Sequence, residues 1–348
     1  MENQALMRVL LVVILTVCAV GVFHSRAERA EYTIRIAFLA SSDDEDYVGA
    51  MAFKESVERA AGGRVAVQIF PSGQFCGSER ECIESLQSGM LEVHQATFGG
   101  IAALFGPAQA LDLPYTFAND AVAECVMDGP LLAKMGDAIL EQGLGLRLMT
   151  VGNTGGWRSF ATTTRRIRSP ADLKGLRIRT LPSALEQEMV RELGGSPTPL
   201  PWSEVYYALS AGLLDGTKNS VQDVVGMKLH EHVHFLLDDR HSYMGAMWWY
   251  SEKLWQALPP ELRPIIAEGF RALAVATREA AASRQAPAFA AFRAAGGVVD
   301  EVTPAQREQF REATRGLRDW YAERYGSEWL GRVDAAVAAC EQKVGGSG

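Results

Sequence analysis

The segment Ser169–Gly216 reads SPADLKGLRIRTLPSALEQEMVRELGGSPTPLPWSEVYYALSAGLLDG. Within it, GLRIRTL (Gly175–Leu181) is a strand and Ala184–Leu193 is a helix. GGSPTPLP then reads as a proline-rich loop. SEVYYALSAGLLDG is a second helix, capped by Ser203 and closed by Gly212 and Gly216. Strand, helix, loop and helix in this order make an α/β unit, and the rest of the chain repeats the theme.

Upstream, YTIRIAFLA (Tyr32–Ala40) is rich in β-branched and aromatic residues and reads as a strand. SSDDED (Ser41–Asp46) supplies turn and cap residues, and its acidic run Asp43–Asp46 reads as a solvated, helix-capping loop, the other reading being a face toward a cationic or hydroxylated part of a ligand. A helix follows with Ala50, Phe53, Val57, Ala60 and Ala61 on one face, stopped by Gly62-Gly63. RVAVQIF (Arg64–Phe70) and LEVHQAT (Leu91–Thr97) are strands that flank the helix Glu81–Ser88. This β-α-β-α-β order predicts a largely parallel sheet. LGLRLMTVGN (Leu144–Asn153) begins the second round. Trp248-Trp249-Tyr250 is strand-like, with one ring expected at a cleft. Pro259-Pro260 opens a long alanine-rich helix, Glu261 to about Phe292. No repeat or low-complexity linker separates the two rounds. We therefore expect two α/β lobes joined by several crossings, an arrangement suited to closing on a ligand.

The chain of 348 residues carries a net charge of −8 and has no basic stripe, which argues against nucleic acid. Arg8 precedes the apolar run Val9–Phe23, and Ser25-Arg26-Ala27 offers small residues for cleavage. We read residues 1–27 as a secretory signal cleaved after Ala27; retention as an anchor is the other reading. Loss of Glu2, Arg8 and Arg26 takes the charge from −8 to −9. The remaining Cys76, Cys82, Cys125 and Cys340 are even in number, as disulfides in an exported protein require. Cys76 and Cys82 are six apart and close a small loop; the sequence leaves open whether Cys125 reaches Cys340.

Beyond those elements, the chain resembles a known family. DLKGLRIR (Asp172–Arg179) and GGSPTPLPWSEVYYALSAGLLDG (Gly194–Gly216) resemble the signature of the DctP-type solute-binding subunits of TRAP transporters, the tripartite ATP-independent periplasmic transporters. FPSGQF (Phe70–Phe75), LDLPYTFAN (Leu111–Asn119), GWRSF (Gly156–Phe160) and LWQALPPELR (Leu254–Arg263) fit in order and spacing. The resemblance runs from about Tyr32 to Tyr325. It implies a two-lobe periplasmic-binding-protein-like α/β fold, each lobe a mixed sheet flanked by helices, with a long helix spanning both. We expect residues 32–155 plus 245–284 in lobe I and 156–244 plus 285–340 in lobe II. The implied function is periplasmic capture of a small organic acid by a monomer. The acid would pass to a permease of a small and a large membrane subunit driven by an ion gradient, with no cofactor and no catalysis.

The resemblance assigns Arg179 to the ligand carboxylate. A guanidinium offers two parallel donors to a carboxylate and stays charged when buried. Arg177 shares the strand face by simple alternation, so the resemblance is what selects Arg179. Arg158 in GWRSF matches a second arginine, expected on the acid or at the hinge. Trp202 fills an aromatic slot that would cover the apolar body of a ligand. Asn219 keeps a family asparagine, although Thr217, Lys218 and Ser220 around it depart from the family's Q-E-N-P, which leaves the substrate open. Thr97, Phe98 and Gln74 complete the candidate set from strand and loop ends of the first lobe.

One motif points elsewhere. HEHVH (His230–His234) matches the HExxH pattern of zinc hydrolases, in which two histidines on one helical face bind metal and a glutamate acts as base. Here the segment is short, is soon followed by Asp238-Asp239, and has no third-ligand signature downstream. A secreted zinc hydrolase using His230, Glu231 and His234, and the binding protein of an ATP-driven importer, are the two alternative functions. His241 is expected to be structural.

Overall fold

The computed structural model describes residues 30–345; the leader read at residues 1–27 lies outside them. Nine strands form one mixed sheet in the order β2-β1-β3-β8-β4-β7-β5-β6, with β9 paired to β8. On one side, β1 (Tyr32–Ala37) pairs in parallel with β2 (Val65–Phe70) and β3 (Val93–Thr97). On the other, β5 (Arg177–Thr180) pairs in parallel with β6 (Ser196–Pro199) and β7 (Gly216–Asn219). Two antiparallel strands of 17 residues each, β4 (Leu146–Thr162) and β8 (Phe235–Ser251), connect the two sides. β9 (Val298–Glu301) runs parallel to the start of β8.

The sequence expectation that this strand ends near Asn153 fails at a glycine pair. The β4–β8 register is interrupted between Asn153 and Trp157 and then resumes at Trp157↔Tyr243. Gly155 and Gly156 sit there at φ 118° and 90°, a region that side-chain-bearing residues rarely adopt. The pair kinks the strand without terminating it, so one strand serves both halves of the sheet.

Helices cover both faces. The first two are α1 (Glu45–Ala60), capped by Asp44, and α2 (Glu79–Ser88), capped by Ser78. α3 (Asp120–Met127) and α4 (Pro130–Glu141) precede β4. α5 (Ala184–Glu192) and α6 (Val205–Ser210) lie on the second half with α7 (Val221–Gly226). α8 (Glu252–Ala257) follows β8, and α9 (Arg263–Ala294) runs 32 residues along α1, β4 and α7. α10 (Pro304–Ala313), α11 (Gly316–Tyr325) and α12 (Glu328–Gly345) close the chain. Disulfides join Cys76 to Cys82 and Cys125 on α3 to Cys340 on α12.

Four local expectations need correction. The loop GGSPTPLP contains the edge strand β6, where the missing N–H groups of proline are tolerated. The helix after it stops at Ser210, and Gly216 opens a strand instead of closing that helix. Ser203 makes no cap; its hydroxyl reaches the Gly77 carbonyl across the cleft at 3.4 Å. Trp248, Trp249 and Tyr250 are all core residues, at most 1% exposed, so none of the three rings faces a cleft.

Candidate functional site

The carboxyl ends of β1, β3, β5 and β7 converge between the two halves of the sheet, where open α/β sheets bind ligands. The cavity they enclose has about 50 Å³ of free volume. Leu39, Ala40, Gln95 and Thr97 line it from β1 and β3, and Arg179, Leu181 and Asn219 from β5 and β7. Thr154 and Arg158 enter from either side of the glycine kink in β4. Asp44, Asp46, Glu79, Trp202, Asp223 and Met244 complete the wall.

Alternation along β5 does not treat its two arginines alike. Arg177 is exposed and pairs with Asp215 through Nη2–Oδ1 at 2.7 Å and Nε–Oδ2 at 3.0 Å. Arg179 is 2% exposed and lines the cavity. Its Nε and Nη2 donate to the Leu200 carbonyl at 3.1 and 2.8 Å, and its Cζ lies 5.5 Å from the centre of the Trp202 ring. Among the described residues, no carboxylate lies within 4 Å of it, whereas Arg158 is 3.8 Å from Glu186. Burial depresses the Arg179 guanidinium to about 10, with Glu186 only partly offsetting the cost.

Behind the cavity, Glu186 on α5 organises the other cations. Its Oε2 accepts from Lys218 Nζ at 2.9 Å and from the Leu181 amide at 2.9 Å. Burial opposes ionisation of Glu186, but Lys218 and Arg158 more than offset it and hold the carboxyl far below its usual range. Arg158 also donates to the Lys218 carbonyl at 3.3 Å, while its Nε is buried without a partner. Asp112, buried next to this group, is pushed up to about 7 by burial and then by the charge of Glu186.

The opposite end is acidic. Asp44 caps α1 by accepting from the Asp46 amide at 3.0 Å. Thr154 Oγ1 lies 3.0 Å from Asp46 Oδ2 and 3.4 Å from Asp44 Oδ1. Asp46 is 1% exposed, and its Oδ1 has no partner. Burial, and then neighbouring carboxylates, hold Asp44 and Asp46 well above the usual range. The reading of Asp43–Asp46 as a solvated, capping loop holds for the cap at Asp44 and for exposed Asp43, and fails for Glu45 and Asp46, which are buried. Asp223 accepts from Asn219 Nδ2 at 3.0 Å, and Asn219 Oδ1 accepts from Thr217 at 2.7 Å. Asn219 therefore both lines the cavity and fixes Asp223.

Of the candidates named from sequence, Arg179, Arg158, Asn219, Trp202 and Thr97 are brought together here. Phe98 and Gln74 are not. Phe98 is 1% exposed, with the tip of its ring against Gly245 in the core. Gln74 is exposed in the turn after β2. Sequence reading missed Asp223, Glu79, Gln95 and Thr154, and gave Asp46 only within a run read mainly as a solvated loop. The SSDDED run was the one available signal for the acidic end.

HEHVH does not form a metal-binding helix face. His230 and Glu231 lie in a three-residue 3-10 turn, Leu229–Glu231, and His234 lies beyond it, at the entry to β8. Glu231 accepts from the Tyr206 hydroxyl. Among the described residues, no group of three His, Cys, Asp or Glu is disposed to hold a metal ion.

Comparison with known proteins is consistent in kind. Residues 36–324 match the family model of "bacterial extracellular solute-binding protein, family 7". The chain is 25% identical over 315 residues to a 2,3-diketo-L-gulonate-binding periplasmic protein of Escherichia coli K12, covering 89% of this chain and 94% of that one. It is 26% identical over 317 residues to the C4-dicarboxylate-binding periplasmic protein DctP of Rhodobacter capsulatus, covering 88% and 91%. A crystal structure of a TRAP periplasmic solute-binding protein from a Bradyrhizobium species, in complex with α/β-D-galacturonate, superposes with a TM-score of 0.82 at 27% identity, covering 87% of this chain and 99% of that one.

Proposed function

Because this chain belongs to the bacterial extracellular solute-binding proteins of family 7, the DctP-type subunits of TRAP transporters, we propose that it is a receptor that captures a small carboxylate in the interlobe cavity and hands it to a TRAP permease. Family members are receptors and not enzymes. The observation that carries the reading is Arg179: a buried guanidinium on the cavity wall with no carboxylate of its own within 4 Å among the described residues. A ligand carboxylate supplies the missing anion. Arg158 Nε offers a further donor, and Trp202 and Leu181 cover the apolar part of the solute.

A cavity with about 50 Å³ of free volume is far smaller than the roughly 300–1,000 Å³ of ordinary ligand pockets, so admission of an acid requires the lobes to part. We assign residues 32–155 plus 245–284 to lobe I and 156–244 plus 285–340 to lobe II, with Gly155-Gly156 in one hinge crossing. Export with cleavage after Ala27, action as a monomer, and docking on a permease of one small and one large subunit complete the proposal. No helix among the described residues is long and apolar enough to cross a membrane.

A thermal-shift screen of the mature protein against small mono- and dicarboxylates, sugar acids and 2-oxo acids tests this. A ligand at 100 times its Kd adds about 2.7 kcal/mol of stability. We expect one class of acid to raise the melting temperature and Arg179→Ala to abolish the rise. A chelator that lowers the melting temperature, with no acid raising it, would favour the zinc hydrolase reading instead.

A further inference from the structure

We propose that the solute is zwitterionic: a cationic nitrogen is held among Asp44, Asp46 and Asp223 at one end of the cavity while the carboxylate is held by Arg179 and Arg158 at the other. This rests on the receptor reading above and narrows its ligand. The cavity wall carries Arg179 and Arg158 beside Glu79 at one end and three aspartates at the other. Asp44, Asp46 and Asp223 line one end, and among the described residues no Lys, Arg or His lies within 4 Å of any of them. The nearby Arg284 is taken by Glu45, at 3.3 Å.

Asp46 gives the second, independent sign. It is 1% exposed, lines the cavity, and its Oδ1 is buried without a donor. Opposite a cation the Asp46 carboxylate is ionised and only accepts, so the partner that fits Oδ1 there is a donor. One neutral hydroxyl would satisfy a single oxygen and leave the charge of the cluster uncompensated. An ammonium brings three donors and a positive charge to a place where neighbouring carboxylates repel one another. Thr154 already bridges Asp44 and Asp46, and Asn219 holds Asp223, so the acidic end is fixed before a ligand arrives.

A cation there also has a signature that a hydroxyl lacks. The groups facing the acidic end are Asp44, Glu45 and Asp46 from the start of α1, Asp223 from α7, Arg158 from β4 and Arg284 from α9. Burial raises the carboxyls of Asp44, Asp46 and Asp223, and a bound cation opposes that shift by favouring their ionised form, so any proton they hold is released on binding.

The test is calorimetric titration of the mature protein with matched acids at neutral pH. The probes are glycine, β-alanine, γ-aminobutyrate, δ-aminovalerate, α-amino acids and N-trimethyl analogues, each against its hydroxy counterpart, with succinate alongside. Repeating the titrations in two buffers of different ionisation enthalpy reads proton release. We expect at least one amino ligand to bind tenfold or more tightly than its hydroxy counterpart, with protons released. We expect Asp46→Asn and Asp223→Asn to narrow that difference by tenfold or more. A hydroxy or dicarboxylic acid that binds as tightly as every amino ligand overturns the zwitterion proposal and leaves the receptor reading standing. Failure of every acid to bind overturns both. The matched pairs on the unmodified protein decide the matter even if an Asn variant folds poorly.

Discussion

Replacing Arg179 by alanine separates ligand binding from folding more cleanly than any other change in this site. The folded protein holds this guanidinium at 2% exposure, where burial lowers it from 12.5 to about 10. That depression corresponds to a penalty on the order of 3 kcal/mol on the charged form. What the side chain gains in return, two hydrogen bonds to the Leu200 carbonyl and the Trp202 ring face, is of similar size. Arg179→Ala should therefore leave the melting temperature of the ligand-free protein nearly unchanged. Binding is different, because the carboxylate loses a desolvated, charged hydrogen-bonding partner worth about 1.5–3 kcal/mol. At 1.4 kcal/mol per decade, Kd should rise by roughly 10- to 150-fold. Titration calorimetry with the best acid from the screen, beside circular dichroism to confirm folding, reads both quantities. Arg179→Lys keeps the charge but loses the planar fork, and should fall between the two. A folded Arg179→Ala protein that binds within threefold of the parent would refute the assignment of the carboxylate to this residue.

Other outcomes follow from the same geometry. Cys125→Ser with Cys340→Ser opens a cross-link spanning 215 residues and should cost about 2–5 kcal/mol, more than opening the six-residue Cys76–Cys82 loop; denaturant melts of the two double variants rank them. Gly245→Ala would place a methyl 2.0 Å from the Phe98 ring, an overpacking cost of about 1–3 kcal/mol that thermal denaturation should detect. Asp112 keeps its proton in the folded state up to about 7, above its usual 3.8, so the folded protein binds more protons than the unfolded chain in that window and loses stability as pH rises through it. Asp112→Asn should make the melting temperature fall less between pH 4 and 7. His230→Ala with His234→Ala should leave acid binding unchanged, since neither side chain reaches the cavity.

Much of the fold was legible because its elements follow local periodicity. The strands at Tyr32 and Val65, the helix after SSDDED and the 32-residue helix α9 lie close to where their patterns put them. The errors share one physical origin. Gly155-Gly156 reads as a strand end, since glycine costs most backbone entropy in a ladder; only the waiting partner β8 makes a kinked continuation favourable. SPTP looks like loop for the same reason, until β5 offers an edge. Asp44 announces a helix cap in any sequence, but whether that cap faces water or a second lobe depends on residues such as Thr154 and Asp223, more than 100 positions away. Periodicity was equally silent on Arg177 against Arg179: the difference is Asp215, which holds one arginine at the surface.

The distribution of anions around the three buried cations explains which of their donors are left for a ligand. Glu186 serves Lys218 at 2.9 Å and reaches Arg158 at 3.8 Å, while its other hydrogen bond goes to the Leu181 backbone. A buried ion pair of this kind adds little net stability against its desolvation cost, though breaking it by removing one partner is expensive. Its value here is positional. It holds Lys218 closely and Arg158 loosely, next to Asp112, so that Lys218 is taken while Arg158 keeps its Nε without a partner. Arg179, one strand away, is held in place by a neutral carbonyl and an aromatic ring, which orient a guanidinium without discharging it. The site thus keeps one cation uncompensated at one end and Asp46 Oδ1 unpartnered at the other. In the proposed receptor, a ligand that bridges the lobes would remove both deficits together, and that bridging would couple binding to closure.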